Sequence, residues 1–104
     1  MEATFLTNEL KNFLDKDGRL KNYPTKHKPK ILSLFYLASK VEAEKRYTEK
    51  ELNQLLREWH TFEDWAMLRR DLYDRHFLNR EGNGSFYWLE ENQPSLASFG
   101  LEQA

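Results

Sequence analysis

Five cationic side chains lie close together in residues 18–30, a segment without any acidic residue: Arg19, Lys21, Lys26, Lys28 and Lys30. Such a cluster attracts phosphate groups or an acidic partner. A basic cluster with an aromatic ring among its members, here Tyr23, is typical of nucleic-acid binding. The pattern predicts a nucleic-acid-binding surface, and a solvated basic loop is an equally weighted alternative.

Two further arginines, Arg70 in a predicted helix and Arg80 in a predicted hairpin, can extend this surface. Consecutive helical residues diverge by about 100°, so Arg69 and Arg70 cannot share a face. We expect Arg70 to project outward, and Arg69 to pair with Glu49 or Glu51 because buried charges are normally paired. The predicted nucleic-acid-binding residues are Arg19, Lys21, Lys26, Lys28, Lys30, Arg70 and Arg80.

The residues that could support catalysis are scattered. His27, His60 and His76 fall in separate predicted elements without a metal-ligand spacing, and no glycine-rich phosphate loop is present. The absence of cysteine excludes disulfides, thiol nucleophiles and cysteine-based metal sites. We expect no enzyme activity, no metal, no cofactor and no small-molecule ligand.

Composition indicates a globular chain. Of 104 residues, 39% are hydrophobic and 14% aromatic, and the net charge is -1. The basic residues concentrate in the first half, where eleven Lys and Arg face eight Asp and Glu; the second half holds five against nine. There is no apolar run of about 20 residues and no signal-peptide pattern at the start, so we expect a cytoplasmic protein without a membrane span.

The elements that must position the cations follow from hydrophobic spacing. Apolar stripes predict a first helix over residues 4–14 and a second from Pro29 to Val41, with Gly18 in the turn after the first. Thr48 and Glu51 form a capping box for a third helix. Thr61 with Asp64 predicts the cap of a fourth helix over residues 62–75, and the short turn before it indicates a helix–turn–helix.

Two aromatic-rich runs, residues 77–80 and 86–89, flank a Gly-Asn-Gly turn and predict a β-hairpin. The fold class expected is α+β, a mainly helical winged-helix-type domain over residues 1–89 with an extra N-terminal helix and a C-terminal β-hairpin. An all-helical bundle with a decorative hairpin is the alternative. Residues 90–104 are expected to form a partly ordered or flexible tail, although Leu96, Phe99 and Leu101 could dock on the domain or on a partner.

Several motifs occur together in an order typical of a known family. They are Y-T-E-x-E-L-N from Tyr47, L-R-R-D-L from Leu68, and then Asp74, Leu78, Arg80 and Tyr87. With this pattern the chain resembles the bacterial domain-of-unknown-function family 2087 over roughly residues 13–89. The resemblance implies a winged-helix-like fold and an association with transcription regulators. One departure is His76, which stands where the family usually has glycine.

Two functions remain open at this point. The first is a bacterial regulatory winged-helix domain with weak, backbone-dominated DNA contact through the basic loop and the hairpin. The fourth helix carries three arginines against four carboxylates, which disfavours deep insertion into a groove of DNA. The second is a protein-interaction or dimerisation domain of the same fold that does not bind DNA.

Overall fold

The computed structural model describes residues 3–101, which form four α-helices and a three-stranded antiparallel sheet. The confirmed fold class is therefore α+β. The elements, in chain order, are α1 (Ala3–Glu9), α2 (His27–Ala38), β1 (Tyr47–Thr48), α3 (Glu49–Glu58), α4 (Trp65–Asp74), β2 (Leu78–Arg80), β3 (Phe86–Leu89) and a 3-10 helix (Ala97–Phe99).

The sheet has the strand order β1-β3-β2, with β3 antiparallel to both neighbours. The predicted hairpin of β2 and β3 is confirmed, and β1 adds a third strand through the pairing of Tyr47 with Tyr87. Side chains alternate between the faces of a strand, so Tyr87 is buried while its neighbour Phe86 is exposed. The inner face of the sheet thereby closes the core beneath the helices.

Helix α2 is the central element of the core. Seven of its residues are buried, and Pro29 lies in its first turn as predicted. One face of α2 joins the main cluster with α3, α4 and the sheet, and another joins a smaller cluster with Leu6, Leu10 and Leu96. This double burial explains why the apolar residues of α2 are not confined to one stripe.

The first helix is shorter than predicted, because α1 ends at Glu9. The backbone beyond it turns back on itself: Lys21 donates its N–H to the Phe13 carbonyl, and Leu14 pairs with Leu20. Gly18 adopts a positive φ of 78° in the turn between them. The apolar residues 13 and 14, which made the predicted helix longer, therefore lie in a turn and in an antiparallel pairing, not in a helix.

The turn between α3 and α4 corrects a second prediction. Helix α4 starts at Trp65, not Phe62, and Asp64 is its N-cap, accepting a hydrogen bond from the Met67 N–H at 3.3 Å. Thr61 does not cap the helix; its N–H donates to the Leu20 carbonyl. Residues 62–64 form a bend between α3 and α4. The prediction, which relied on the cap pattern, had placed them inside α4.

His60 holds this bend from within the core. Its side chain is buried, with only 2% of the residue exposed. The Nδ1 atom lies 2.5 Å from the Leu56 carbonyl oxygen, and Nε2 accepts the Asp64 N–H at 3.0 Å. Because a carbonyl can only accept and an N–H can only donate, Nδ1 carries the proton and the ring is neutral.

The capping box predicted at the start of α3 is confirmed. The Thr48 hydroxyl accepts the Glu51 N–H at 3.1 Å, and the Glu51 carboxylate accepts the Thr48 N–H at 2.9 Å. Two otherwise unpaired donors of the first turn are satisfied in this way.

The end of α4 explains the departure at His76. His76 has a φ of 68°, and its N–H donates to the Tyr73 carbonyl while that of Phe77 donates to the Leu72 carbonyl. This is the Schellman arrangement, whose left-handed position favours glycine. Histidine can adopt this left-handed conformation, but its Cβ makes the conformation less favourable in free energy than it is for glycine.

The described part of the tail packs on the body of the protein. Leu96 is buried, and the Phe99 ring stacks on Phe77 with ring centroids 5.8 Å apart. Gln93 donates hydrogen bonds to the carbonyls of Phe77 and Glu90. Residues 96–101 therefore dock on their own domain, which is one of the two docking possibilities named for Leu96, Phe99 and Leu101.

Candidate nucleic-acid interface

A cavity of about 670 Å³ lies where α4 meets the sheet and the start of α3. Arg70 reaches it from α4 and Arg80 from β2, so two of the seven predicted residues come together here. Arg70 is solvent-exposed, as predicted from its position on the helix. We call this concave surface the arginine groove; its residues are Glu49, Asp64, Ala66, Met67, Arg69, Arg70, Tyr73, Asp74, Arg80 and Tyr87.

Aromatic residues hold Arg80 in the arginine groove. Its guanidinium carbon lies 4.5 Å from the centroid of the Tyr73 ring, a cation–π contact. The hydroxyl of Tyr87, followed by that of Tyr73, favours the charged form and raises the pKa of Arg80. Through these contacts Tyr73 and Tyr87 keep the positively charged Arg80 side chain at the arginine groove.

Arg69 has the structural role that was predicted for it. Its side chain is only 18% exposed, and it forms an ion pair with Glu49 at 3.1 Å. It also donates a hydrogen bond to the Asn53 side-chain oxygen. Of the two carboxylates considered, Glu49 is the partner, because Glu51 is engaged in the capping box.

The three arginines of the groove face three carboxylates with different engagements. Glu49 is paired with Arg69, and Asp64 caps α4. Asp74 is exposed at the end of the helix. Within residues 3–101, neither Arg70 nor Arg80 has a carboxylate at ion-pair distance. These two are the groove cations with charge available for an external anion.

The cations of the N-terminal basic cluster lie outside the arginine groove. Arg19 donates hydrogen bonds through one terminal nitrogen to the carbonyls of His60, at 2.7 Å, and Arg57, at 3.2 Å. A guanidinium at the C-terminal end of a helix is favourable because the last carbonyls lack partners there. Arg19 therefore fastens the end of α3, which is a different role from the predicted phosphate contact.

The lysines of the cluster face different neighbours. Lys28 pairs with Glu9 of α1 at 3.1 Å, whereas the Lys30 ammonium lies 5.3 Å from the centroid of the Tyr23 ring. Lys21 and Lys26 are exposed. None of the four lines the arginine groove. Of the seven predicted residues, Arg70 and Arg80 thus share the arginine groove, whereas Arg19, Lys28 and Lys30 have partners within the chain.

Tyr23, the aromatic residue of the cluster, is also occupied internally. Its hydroxyl donates to the Asp71 carboxylate at 2.7 Å, and burial, followed by this bond, raises its pKa. Its ring stacks on Phe62 with centroids 6.3 Å apart. Tyr23 joins the basic segment to α4 and does not offer its ring as a stacking platform.

Tyr73 and Tyr87 are the site residues that the sequence analysis missed. Tyr73 lies three residues after Arg70, a spacing that places both on one side of a helix and could have indicated the groove. No such local signal exists for Tyr87, because its place beside Arg80 depends on strand pairing. Among residues 3–101 no cluster of His, Asp or Glu has the arrangement of a metal site.

Comparison with known proteins identifies one family. The family model described as an uncharacterised protein conserved in bacteria, DUF2087, matches residues 19–89. Neither the curated proteins nor the solved structures include a significant match. None of the helices in residues 3–101 combines the length and apolarity needed to cross a bilayer.

Proposed function

The chain belongs to the DUF2087 family, and from that premise we propose that it is a winged-helix-type regulatory domain that binds the DNA backbone through Arg70 and Arg80. The order α2, β1, α3, α4, β2, β3 and the strand order β1-β3-β2 support the winged-helix type. In such domains the second helix of the helix–turn–helix meets DNA and the hairpin flanks it. Arg70 and Arg80 belong to these two elements.

One observation carries the proposal: two arginines without an ion-pair partner in residues 3–101 line a single concavity between α4 and the hairpin. Arginine presents a planar fork of donors that matches phosphate oxygens. The carboxylates in the groove oppose deep insertion of α4. The proposed contact is accordingly weak and independent of base sequence, and the role is binding without catalysis.

The salt dependence of DNA affinity tests this proposal. With about two phosphates neutralised, the slope of log K against log salt is expected to be about −1.8. We would follow the fluorescence anisotropy of a labelled duplex of about 20 base pairs at salt concentrations between about 50 and 200 mM. Arg70→Gln should weaken binding and reduce the magnitude of the slope by about 1.

The matched control is Lys28→Gln, which removes one positive charge outside the arginine groove. It should leave the slope close to that of the wild type. A loss from Lys28→Gln alone would place the contact in the N-terminal cluster, and an equal loss from both variants would contradict a contact confined to the arginine groove. No anisotropy change at about 50 mM salt would contradict DNA binding altogether.

A second candidate function is self-association through the outer face of the sheet. Phe86 is 39% exposed and is the large hydrophobic side chain that the described residues leave open to solvent. The Arg46 guanidinium lies over the rings of both Phe86 and Trp88, at 5.3 and 4.8 Å. Sedimentation equilibrium would reveal a dimer that Phe86→Ala shifts toward monomer; a wild-type monomer at every concentration would reject this candidate.

A further inference from the structure

A second cavity, of about 790 Å³, opens between α2, the end of β3 and the C-terminal segment. We call it the tail cavity. It shares no residue with the arginine groove. The residues that line it are Leu6 of α1, Phe35, Ala38 and Ser39 in and after α2, Leu89 of β3, and residues 93–97 and 101. The family match ends at Leu89, so residues from outside the matched segment complete the cavity.

The residues around the tail cavity are uncharged and mostly apolar. None of them carries a charge. A charged ligand would lose part of its hydration there without gaining a counter-charge, which is unfavourable. The occupant that fits is therefore neutral and mostly hydrocarbon or aromatic. The volume of the tail cavity falls in the range of small-molecule sites, about 300 to 1,000 Å³.

The polar groups of the lining restrict the class of ligand further. The Ser39 hydroxyl already donates to the Tyr36 carbonyl, and both hydrogen bonds from the Gln93 amide nitrogen go to backbone carbonyls, of Phe77 and Glu90. The Gln93 side-chain nitrogen is thus occupied, while its oxygen retains the capacity to accept. A ligand with a single N–H or O–H donor on an apolar body satisfies this arrangement.

We propose that the tail cavity binds a neutral, mostly apolar small molecule that carries a hydrogen-bond donor. Its binding surface combines α2 and β3 with the C-terminal segment, so occupancy would bias the docking of that segment. The proposal is independent of DNA binding, since the two cavities are separate and either can exist without the other.

The probe for the experiment is N-phenyl-1-naphthylamine, a neutral fluorophore with two aromatic groups and one N–H. Its fluorescence rises in apolar surroundings. Titrated against the full chain, it should show saturable binding at one site per monomer. Ala97→Trp introduces an indole on the cavity wall at an exposed position and should weaken probe binding by at least about tenfold.

The control is Ala43→Trp, which adds the same side chain at an exposed position outside the cavity. It should bind the probe as the wild type does. If Ala97→Trp lowers the melting temperature, Ser95→Trp on the same wall replaces it. Absence of saturable binding, equal binding by the wall variants and the wild type, or a dimer that excludes the probe would each overturn the proposal.

Discussion

Protonation of His60 is expected to destabilise the helix–turn–helix as the pH falls. Its Nε2 accepts the N–H of Asp64, the residue that caps α4. Adding a proton to Nε2 replaces this acceptor with a donor and places a charge in a buried site. Burial, and then the positive charge of Arg19, lower the pKa of His60 below its ordinary value of 6.5, against the opposing hydrogen bond to Leu56 and the carboxylates of Asp64 and Glu63.

The direction and size of the effect follow from proton linkage. Because the folded state has the lower pKa, the unfolded state binds more protons as the pH falls below 6.5. The contribution of neutral His60 is fully present above 6.5 and is lost as the pH falls from there toward the folded pKa. One proton corresponds to a slope of at most about 1.4 kcal/mol per pH unit.

The assay is urea unfolding followed by tryptophan fluorescence between about pH 5 and pH 7.5, comparing the wild type with His60→Gln. At the higher pH the variant should be less stable by about 1 to 3 kcal/mol, because its hydrogen bonds are disturbed in a buried site. Since glutamine does not titrate, the difference should narrow on acidification. His76→Gln, at an exposed histidine, is the matched control. A difference between wild type and His60→Gln that stays constant with pH would refute the reasoning.

Three further predictions concern stability. His76→Gly should stabilise the protein by about 1 kcal/mol by removing the cost of a left-handed side-chain residue, visible as a higher melting temperature; an unchanged or lower value would contradict the strain argument. Thr48→Ala should cost about 1 kcal/mol in urea unfolding through loss of the N-cap, whereas Thr48→Ser should retain most of it. Tyr23→Phe should cost about 1 to 3 kcal/mol by leaving the partly buried Asp71 carboxylate without its donor, and equal stability of the two proteins would show that this bond contributes nothing.

Local structure was the part of the fold most accessible from the sequence. The capping box needs only Thr48 and Glu51 three residues apart, and the hairpin needs two strands around a glycine-rich turn. Both depend on atoms close along the chain, so both were predicted correctly. The predicted first helix was too long, because the backbone at positions 13–15 pairs with residues 19–21, and no local pattern describes that pairing.

The candidate site was also predicted only in part, because contacts between distant residues determine it. The sequence identified a cluster of cations and correctly assigned Arg69 to an ion pair. It could not indicate that Arg19 would bind the carbonyls of Arg57 and His60, or that Lys28 would face Glu9, since these partners come from distant or separately packed elements.

The sequence by itself determined the α+β class, the capping box of α3, the hairpin and the family of the protein. The tertiary structure alone decided which cations share a surface: it placed Arg70 beside Arg80 and separated both from the N-terminal cluster. The physical reason is that propensity and capping act over a few residues, whereas the pairing and orientation of charges depend on which distant elements pack together.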